Sequence, residues 1–350
     1  MVKLLLELTE DRYIDVHALN EDAWRVACEH GHLDVVELLL RLTGDRYIVV
    51  HAEDDDEDNA WLLACENGHV DVIKLLLCMT GHRYINVHIE NEGAWQSACT
   101  NGHLHVAKLL LELSGHRRID VHARYGGAWR GACCNGHVDM MRLLLDLTGD
   151  RRIDVHQWED TVWVSACSHG HVDAMELLLS LTGDRRINVH TMNNNAWRWA
   201  CACGHLDAVK LLLALSGDRR IDVHTDDEIV WREACMHGHT DVVQLLLDLT
   251  EDIRIDVHAM TECAWWWACR NGHTNIVRLL LGLTGDRRID VHAKNERAWR
   301  WSSKYGRFDI VKLLLTSGVD RLPSFEVFEL TRAKLPDDWQ SYNHWVSYNN

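Results

Sequence analysis

Proline is nearly missing from this sequence: two occur in 350 residues, both after residue 320. The ring that ends or kinks a helix is therefore absent from most of the chain. Also missing is any run of 18 apolar residues, so no membrane-spanning helix is expected. The leucines of "MVKLLLELTE" are too few for a secretion signal, and Glu7 breaks them. Positive charge is scarce, with 36 Lys and Arg against 53 Asp and Glu and a net charge of −17. That balance argues against nucleic-acid binding, which draws on clustered cations that displace counterions. It suits a basic partner, or solubility alone. The chain is 47% hydrophobic and 25% charged, enough for a sizeable core with an ordinary soluble surface. What it has in excess is tryptophan (16), histidine (24) and cysteine (12), and these are not scattered.

Tryptophan sets a period. Trp24, Trp61, Trp95, Trp129, Trp163, Trp197, Trp231, Trp265 and Trp299 are separated once by 37 residues and thereafter always by 34. The longer spacing holds the acidic stretch "EDDDEDN", a local insertion. Aligned on this ladder, each repeat reads roughly A-W-R-x-A-C-x-x-G-H-x-D-V-V-x-L-L-L-x-L-T-G-D-R-R-I-D-V-H-A. A period of 20–50 residues signals a stacked array.

Within a repeat, "AWRVACEH" puts Trp24, Ala27 and Cys28 on one helical face, and Gly31 ends that helix. "LDVVELLLRLT" forms a second helix with Asp34 in its first turn, where the helix dipole favours it. Val35, Leu38, Leu39 and Leu42 are its expected apolar stripe. "DRYIVVHA" then alternates, with Ile48 and Val50 on one side of an extended arm. No repeat can bury its stripe alone, so neighbours must stack.

Helix, Gly-His, helix and I-D-V-H-A arm together resemble the ankyrin repeat. Eight Gly-His pairs, from Gly31-His32 to Gly272-His273, carry the resemblance over residues 1 to about 318. Trp stands for the family's Leu, Cys for its second Ala, and Ala where Pro would be. The resemblance implies an all-α solenoid of stacked helix-turn-helix repeats with extended arms, in a curved, right-handed superhelix. It implies protein partners held along a concave groove. The expected organisation is a half repeat at 1–22, nine repeats over 23–318 and a divergent cap or short motif at 319–350. In the half repeat, Leu4, Leu5 and Leu8 would leave an apolar edge that another copy could cover.

The repeated polar residues read as structural. Each in-register cysteine (Cys28, Cys65, Cys99, Cys133, Cys167, Cys201, Cys235, Cys269) replaces a buried Ala and serves as a small hydrophobe. Stacked helices ~8–10 Å apart are too far for disulfides, and zinc needs about four converging ligands. So no metal or cofactor is expected. Buried free thiols suit a reducing compartment, cytoplasm or nucleus. Seventeen histidines fall in two slots, the Gly-His turn and the arm, and are expected to hydrogen-bond neighbouring loops, with a pH-sensitive ladder as the other reading. The Asp-Arg pairs, such as Asp150-Arg151, form a solvated inter-repeat row.

Function is expected where the repeats disagree: the tips before each ladder Trp, the position two residues after it, and the pair before Gly. The candidate partner-binding residues are Asp54, Asp55, Asp56, Trp158, Trp199, Asp226, Asp227, Glu233, Trp266, Trp267 and Trp301. Acidic tips with an exposed tryptophan floor suggest a basic, partly apolar polypeptide. The leading function is a non-enzymatic protein-interaction scaffold, since catalysis needs a unique constellation and nearly every polar group here recurs. Two alternatives stand beside it. "LPSFEVFEL" and "KLPDDWQSY" are faintly similar to the F-box or SOCS-box tails of ubiquitin-ligase adaptors, and exposed repeat ends could self-assemble end to end.

Overall fold

The computed structural model describes residues 2–6, 14–50 and 59–316. The segments expected to act as acidic insertion and C-terminal cap therefore lie outside the described residues, as does Leu8. The described helices alternate along the chain between the first and the second helix of a repeat, beginning with a second helix. They are α1 (Val2–Leu6), α2 (Ala18–Glu29), α3 (Leu33–Leu40), α4 (Ala60–Glu66), α5 (Val70–Leu77), α6 (Ile89–Thr100), α7 (Leu104–Leu111), α8 (Ala123–Cys134) and α9 (Val138–Leu145). There follow α10 (Thr161–Ser168), α11 (Val172–Ser180), α12 (Thr191–Ala202), α13 (Leu206–Leu213), α14 (Thr225–His237) and α15 (Thr240–Leu247). The last are α16 (Ala259–Asn271), α17 (Thr274–Leu281), α18 (Ala293–Lys304) and α19 (Phe308–Thr316). No strand forms among the described residues. The fold is an all-α solenoid, with contacts running from each helix to its neighbours in sequence.

Contacts divide the chain into two blocks: the first runs to Ala166 and adds Asp173–Ile187, the second comprises Cys167–Val172 and the chain from Asn188. In the first block α2, α4, α6 and α8 stack in series, each pairs with the shorter helix after it, and α3, α5 and α7 form a second layer. The second block repeats this with α12, α14, α16 and α18 over α13, α15, α17 and α19.

The nine ladder tryptophans are at most 1% exposed, and the eight in-register cysteines are fully buried. Burial pushes the Cys28 thiol up to about 12 and the other seven well above the usual thiol range, so these thiols are inert. Eight of the nine indole N–H groups have no acceptor among the described residues. Such an orphan costs ~1–3 kcal/mol. A buried indole covers ~150–250 Å², worth about 4–6 kcal/mol at ~25 cal/mol per Å², so apolar burial wins. Of the expected second-helix stripe Leu39 is buried, but Val35, Leu38 and Leu42 are only half-buried, and Val36 is buried instead of Val35. The same register recurs as Val72, Ile73 and Leu76. Ile48 and Val50 of the arm are buried as their alternation requires, although the arm pairs with no strand.

Within each block, polar contacts at recurring separations tie repeats to their neighbours. The first arginine of a turn caps the last carbonyl of the short helix one repeat earlier: Arg83 Nη1 donates to Leu40 O at 2.8 Å and Arg117 to Leu77 O at 2.8 Å, whereas Ile253 fills that slot in its turn. Arg46 donates to Leu6 O in the same way, so α1 occupies a second-helix position. The second arginine pairs with the next Asp, as in Arg118–Asp150 at 2.5 Å and Arg254–Asp286 at 2.8 Å. These aspartates are largely exposed, and each pair stabilises little by itself.

The Gly-His pair has two roles. Gly68 sits at φ +79°, closing its helix in the left-handed region. A Cβ there would also lie 2.5 Å from Nδ1 of His103, whose Nε2 bonds the Glu66 carbonyl at 2.6 Å. Gly81 shares the left-handed backbone (φ +64°) but has nothing within 4 Å. Both Gly→Ala changes bear the left-handed penalty of ~1–2 kcal/mol. Gly68→Ala also displaces the histidine, so it is expected to cost about 1 kcal/mol more than Gly81→Ala in denaturant unfolding. Equal losses would show that the Gly-His contact stabilises nothing.

Candidate partner-binding surface

The described tips are built on an unusual turn. Glu90, Asn91 and Glu92 have φ of 54°, 53° and 64°, and Met192–Asn194, Asp226–Glu228, Met260–Glu262 and Lys294–Glu296 follow suit. Three successive left-handed residues that are not glycine cost ~1–2 kcal/mol each, so something must hold them. The holder is a clamp between repeats. His88 Nδ1 meets Glu92 Oε1 at 2.7 Å, and its Nε2 bonds the His116 carbonyl at 2.8 Å. Glu92 Oε1 also accepts from the Asp120 N–H at 3.0 Å. His224–Glu228 repeats the arrangement with Asp252 O and Asp256 N–H, and His258–Glu262 with Asp286 O and Asp290 N–H. His17–Glu21 and His156–Asp160 are equivalent pairs. Where Asn194 replaces the acid, its Oδ1 takes the His190 contact at 2.7 Å. These carboxylates are buried, unlike the tip residues around them.

The clamp changes the imidazoles. Their pKa values rise at His17, His224 and His258, chiefly through the hydrogen bond to Glu21, Glu228 and Glu262. At His88 the His116 carbonyl is the main cause. At His156 burial pulls downward, but Asp160 and the Asp184 carbonyl outweigh it. The clamp carboxylate is the residue that sequence reasoning missed. Its signal was present: Glu21, Glu92, Asp160, Glu228, Glu262 and Glu296 all stand three residues before the ladder Trp. The variable residues around them hid that register.

The structure sorts the candidate residues unevenly. Asp54, Asp55 and Asp56 lie outside the described residues. Asp226 and Asp227 are exposed on their tip. Glu233 is not free, because Arg198 grips both carboxylate oxygens at 2.6–3.1 Å and its own pKa rises for it. Trp199 is 43% exposed, the most open of the tryptophans proposed for binding, beside the Arg198 guanidinium at 5.7 Å. Trp158 donates its indole N–H to the Tyr125 carbonyl at 2.9 Å, under Arg130. Trp266, expected on the open floor, is buried, 8% exposed. Its position follows the ladder Trp directly, where the uncharged Leu62, Gln96 and Val164 are buried too, whereas the arginines of the same slot reach out, Arg130 being exposed.

Trp266 lies 4.9 Å from both Trp267 and Trp301, and Trp301 continues to Tyr305 at 6.4 Å. Arginine, not acid, surrounds this cluster. Arg270 lies over Trp267 (4.5 Å), Tyr305 (4.8 Å) and Trp301 (5.1 Å), and Arg297 over Trp266 (4.7 Å) and Trp301 (5.2 Å). Among the described residues no group of three His, Cys, Asp or Glu side chains could hold a metal, and no helix is long and apolar enough to cross a membrane.

A family model described as ankyrin repeats matches the chain in three copies, over residues 25–125, 129–227 and 231–322. No curated protein matched the chain.

Folding raises the clamp histidines above their usual value of about 6.5, so the folded state binds more protons. Their contribution to stability is complete below about pH 6.5 and fades as pH climbs through the folded values. His239, lowered by burial, opposes this with a loss as pH falls. Five raised sites outnumber it, so stability is expected to drop from about pH 6 to about pH 8. Glu262→Gln should flatten that slope by removing one charged partner. Denaturant unfolding at the two pH values checks both, and a rise in stability across the interval would contradict the clamp.

Proposed function

The chain belongs to the ankyrin-repeat family, whose repeats are protein-interaction modules, and from this premise we propose that it is a non-enzymatic scaffold binding a polypeptide across its tips and the exposed side of its first helices. One observation carries the reading. Residues that recur every 34 positions are buried or bonded between repeats, whereas those that differ, such as Trp199, Asp226 and Asp227, face solvent. Exposed aromatics beside charges are the usual anchors of protein interfaces.

A basic, partly apolar ligand is the reading for the acidic tips, of which Asp226 and Asp227 are described. Glu233 drops out of it, being neutralised by Arg198. The free, buried thiols support a reducing compartment as the site of action. A ubiquitin-ligase adaptor role and end-to-end assembly rest on the C-terminal tail and on Leu4, Leu5 and Leu8. The tail and Leu8 lie outside the described residues.

The test uses the full chain as bait in its native cell extract, beside Trp199→Ala and Asp226→Asn/Asp227→Asn variants. A partner captured by the parent is expected to bind Trp199→Ala about fivefold or more weakly, as loss of an anchor worth more than ~1 kcal/mol requires. The tip variant should slow association, most at low salt. Partners held equally by all three baits would contradict this surface.

A further inference from the structure

In a chain of net charge −17, most exposed arginines of the repeat turns find a carboxylate: Arg118–Asp150, Arg152–Asp184, Arg220–Asp252 and Arg254–Asp286. The cations on α16 and α18 do not. Arg270, Arg297, Arg300 and Lys304 have no carboxylate partner among the described residues. Arg270 is instead laid against three rings and donates Nη2 to the Tyr305 hydroxyl at 3.3 Å. The same Arg270 draws the Tyr305 hydroxyl below its ordinary pKa. Arg297 rests on Trp266 and Trp301. A guanidinium stacked on an indole keeps its in-plane donors free while losing much of its rotamer freedom, so less entropy remains to be lost on binding an anion. Trp267 and Trp301 are themselves only half-buried, which leaves an apolar floor between the cations.

We infer that the α16–α18 surface binds an acidic polypeptide segment, one whose carboxylates flank a large apolar side chain. The apolar group rests on the Trp267 and Trp301 rings, and the carboxylates take the Nη donors of Arg270, whose Nε is buried, and the guanidinium of Arg297. This deepens the scaffold reading and rests on it, and it reverses the charge of ligand expected for this part of the chain. A nucleic acid would also offer anions and stackable rings. The cations here are interleaved with indoles rather than lined along a backbone track, and the chain as a whole repels polyanions.

The experiment selects short random peptides on the full chain, then measures the selected peptides on the parent, on Arg270→Gln/Arg297→Gln and on Trp199→Ala. Each variant is first checked for unchanged unfolding. Selected peptides are expected to carry Asp or Glu beside Leu, Phe or Trp, to lose affinity about tenfold or more on the double arginine variant, and to weaken as salt rises. Neutral or basic peptides, or peptides indifferent to the arginine change, overturn the inference. So does an oligo-dT probe that binds this surface more tightly than any peptide. Peptides that ignore Arg270 and Arg297 but are lost with Trp199→Ala leave the scaffold reading standing while this one falls. Failure to select any peptide counts against both.

Discussion

Everything in this molecule depends on one constraint: a repeat cannot close its own core, so each must be held by the next. The ladder indole supplies the apolar part of that contact. The polar part is a set of bonds at recurring separations, 28 residues for the arm histidine and 40 for the capping arginine, or 43 across the insertion. Because the separations recur, one solution is written again in most of the described repeats. The clamp also explains how a costly left-handed tip persists. The buried carboxylate that the turn presents is bonded from its own repeat by histidine and from the next by a backbone N–H. Strain and its compensation sit side by side, and both recur.

That economy frees the remaining positions. Once Trp, Cys, Gly-His and the clamp fix a repeat, the residue two after the Trp can be Val26, Gly131, Trp199 or Glu233 without touching the core. The second block uses this freedom in two ways. Around Glu233 opposite charges satisfy each other, and around Trp301 aromatic rings and cations collect without acids. The surface is therefore not one uniform groove but a series of local chemistries on a common frame.

How much of this was legible in sequence follows from what repeats. The 34-residue spacing exposed the helices, the buried Trp and Cys, and the Gly-His turn, because periodic residues answer to periodic contacts. Leu39 of the second-helix stripe is buried as its spacing requires, but Val36 takes the place expected for Val35, since the two are equally apolar and only packing tells them apart. Trp266 was misplaced because its residue type, not its slot, guided the expectation. The pairing of Glu233 with Arg198 spans 35 residues and joins an arginine of the recurring A-W-R slot to an acid found at that position in no other repeat, so no pattern announced it. The clamp acid was visible but was read as loop variation.

The central claim is a division of labour: repeated residues hold the fold and unrepeated ones are free for binding. Comparing unfolding free energies across both sets tests it most directly. Trp129→Ala, fully inside the ladder, is predicted to cost ~3–5 kcal/mol, whereas Trp199→Ala, Arg270→Gln and Arg297→Gln should each stay within about 0.5 kcal/mol of the parent. Surface variants that destabilise as much as the ladder variant would contradict the account.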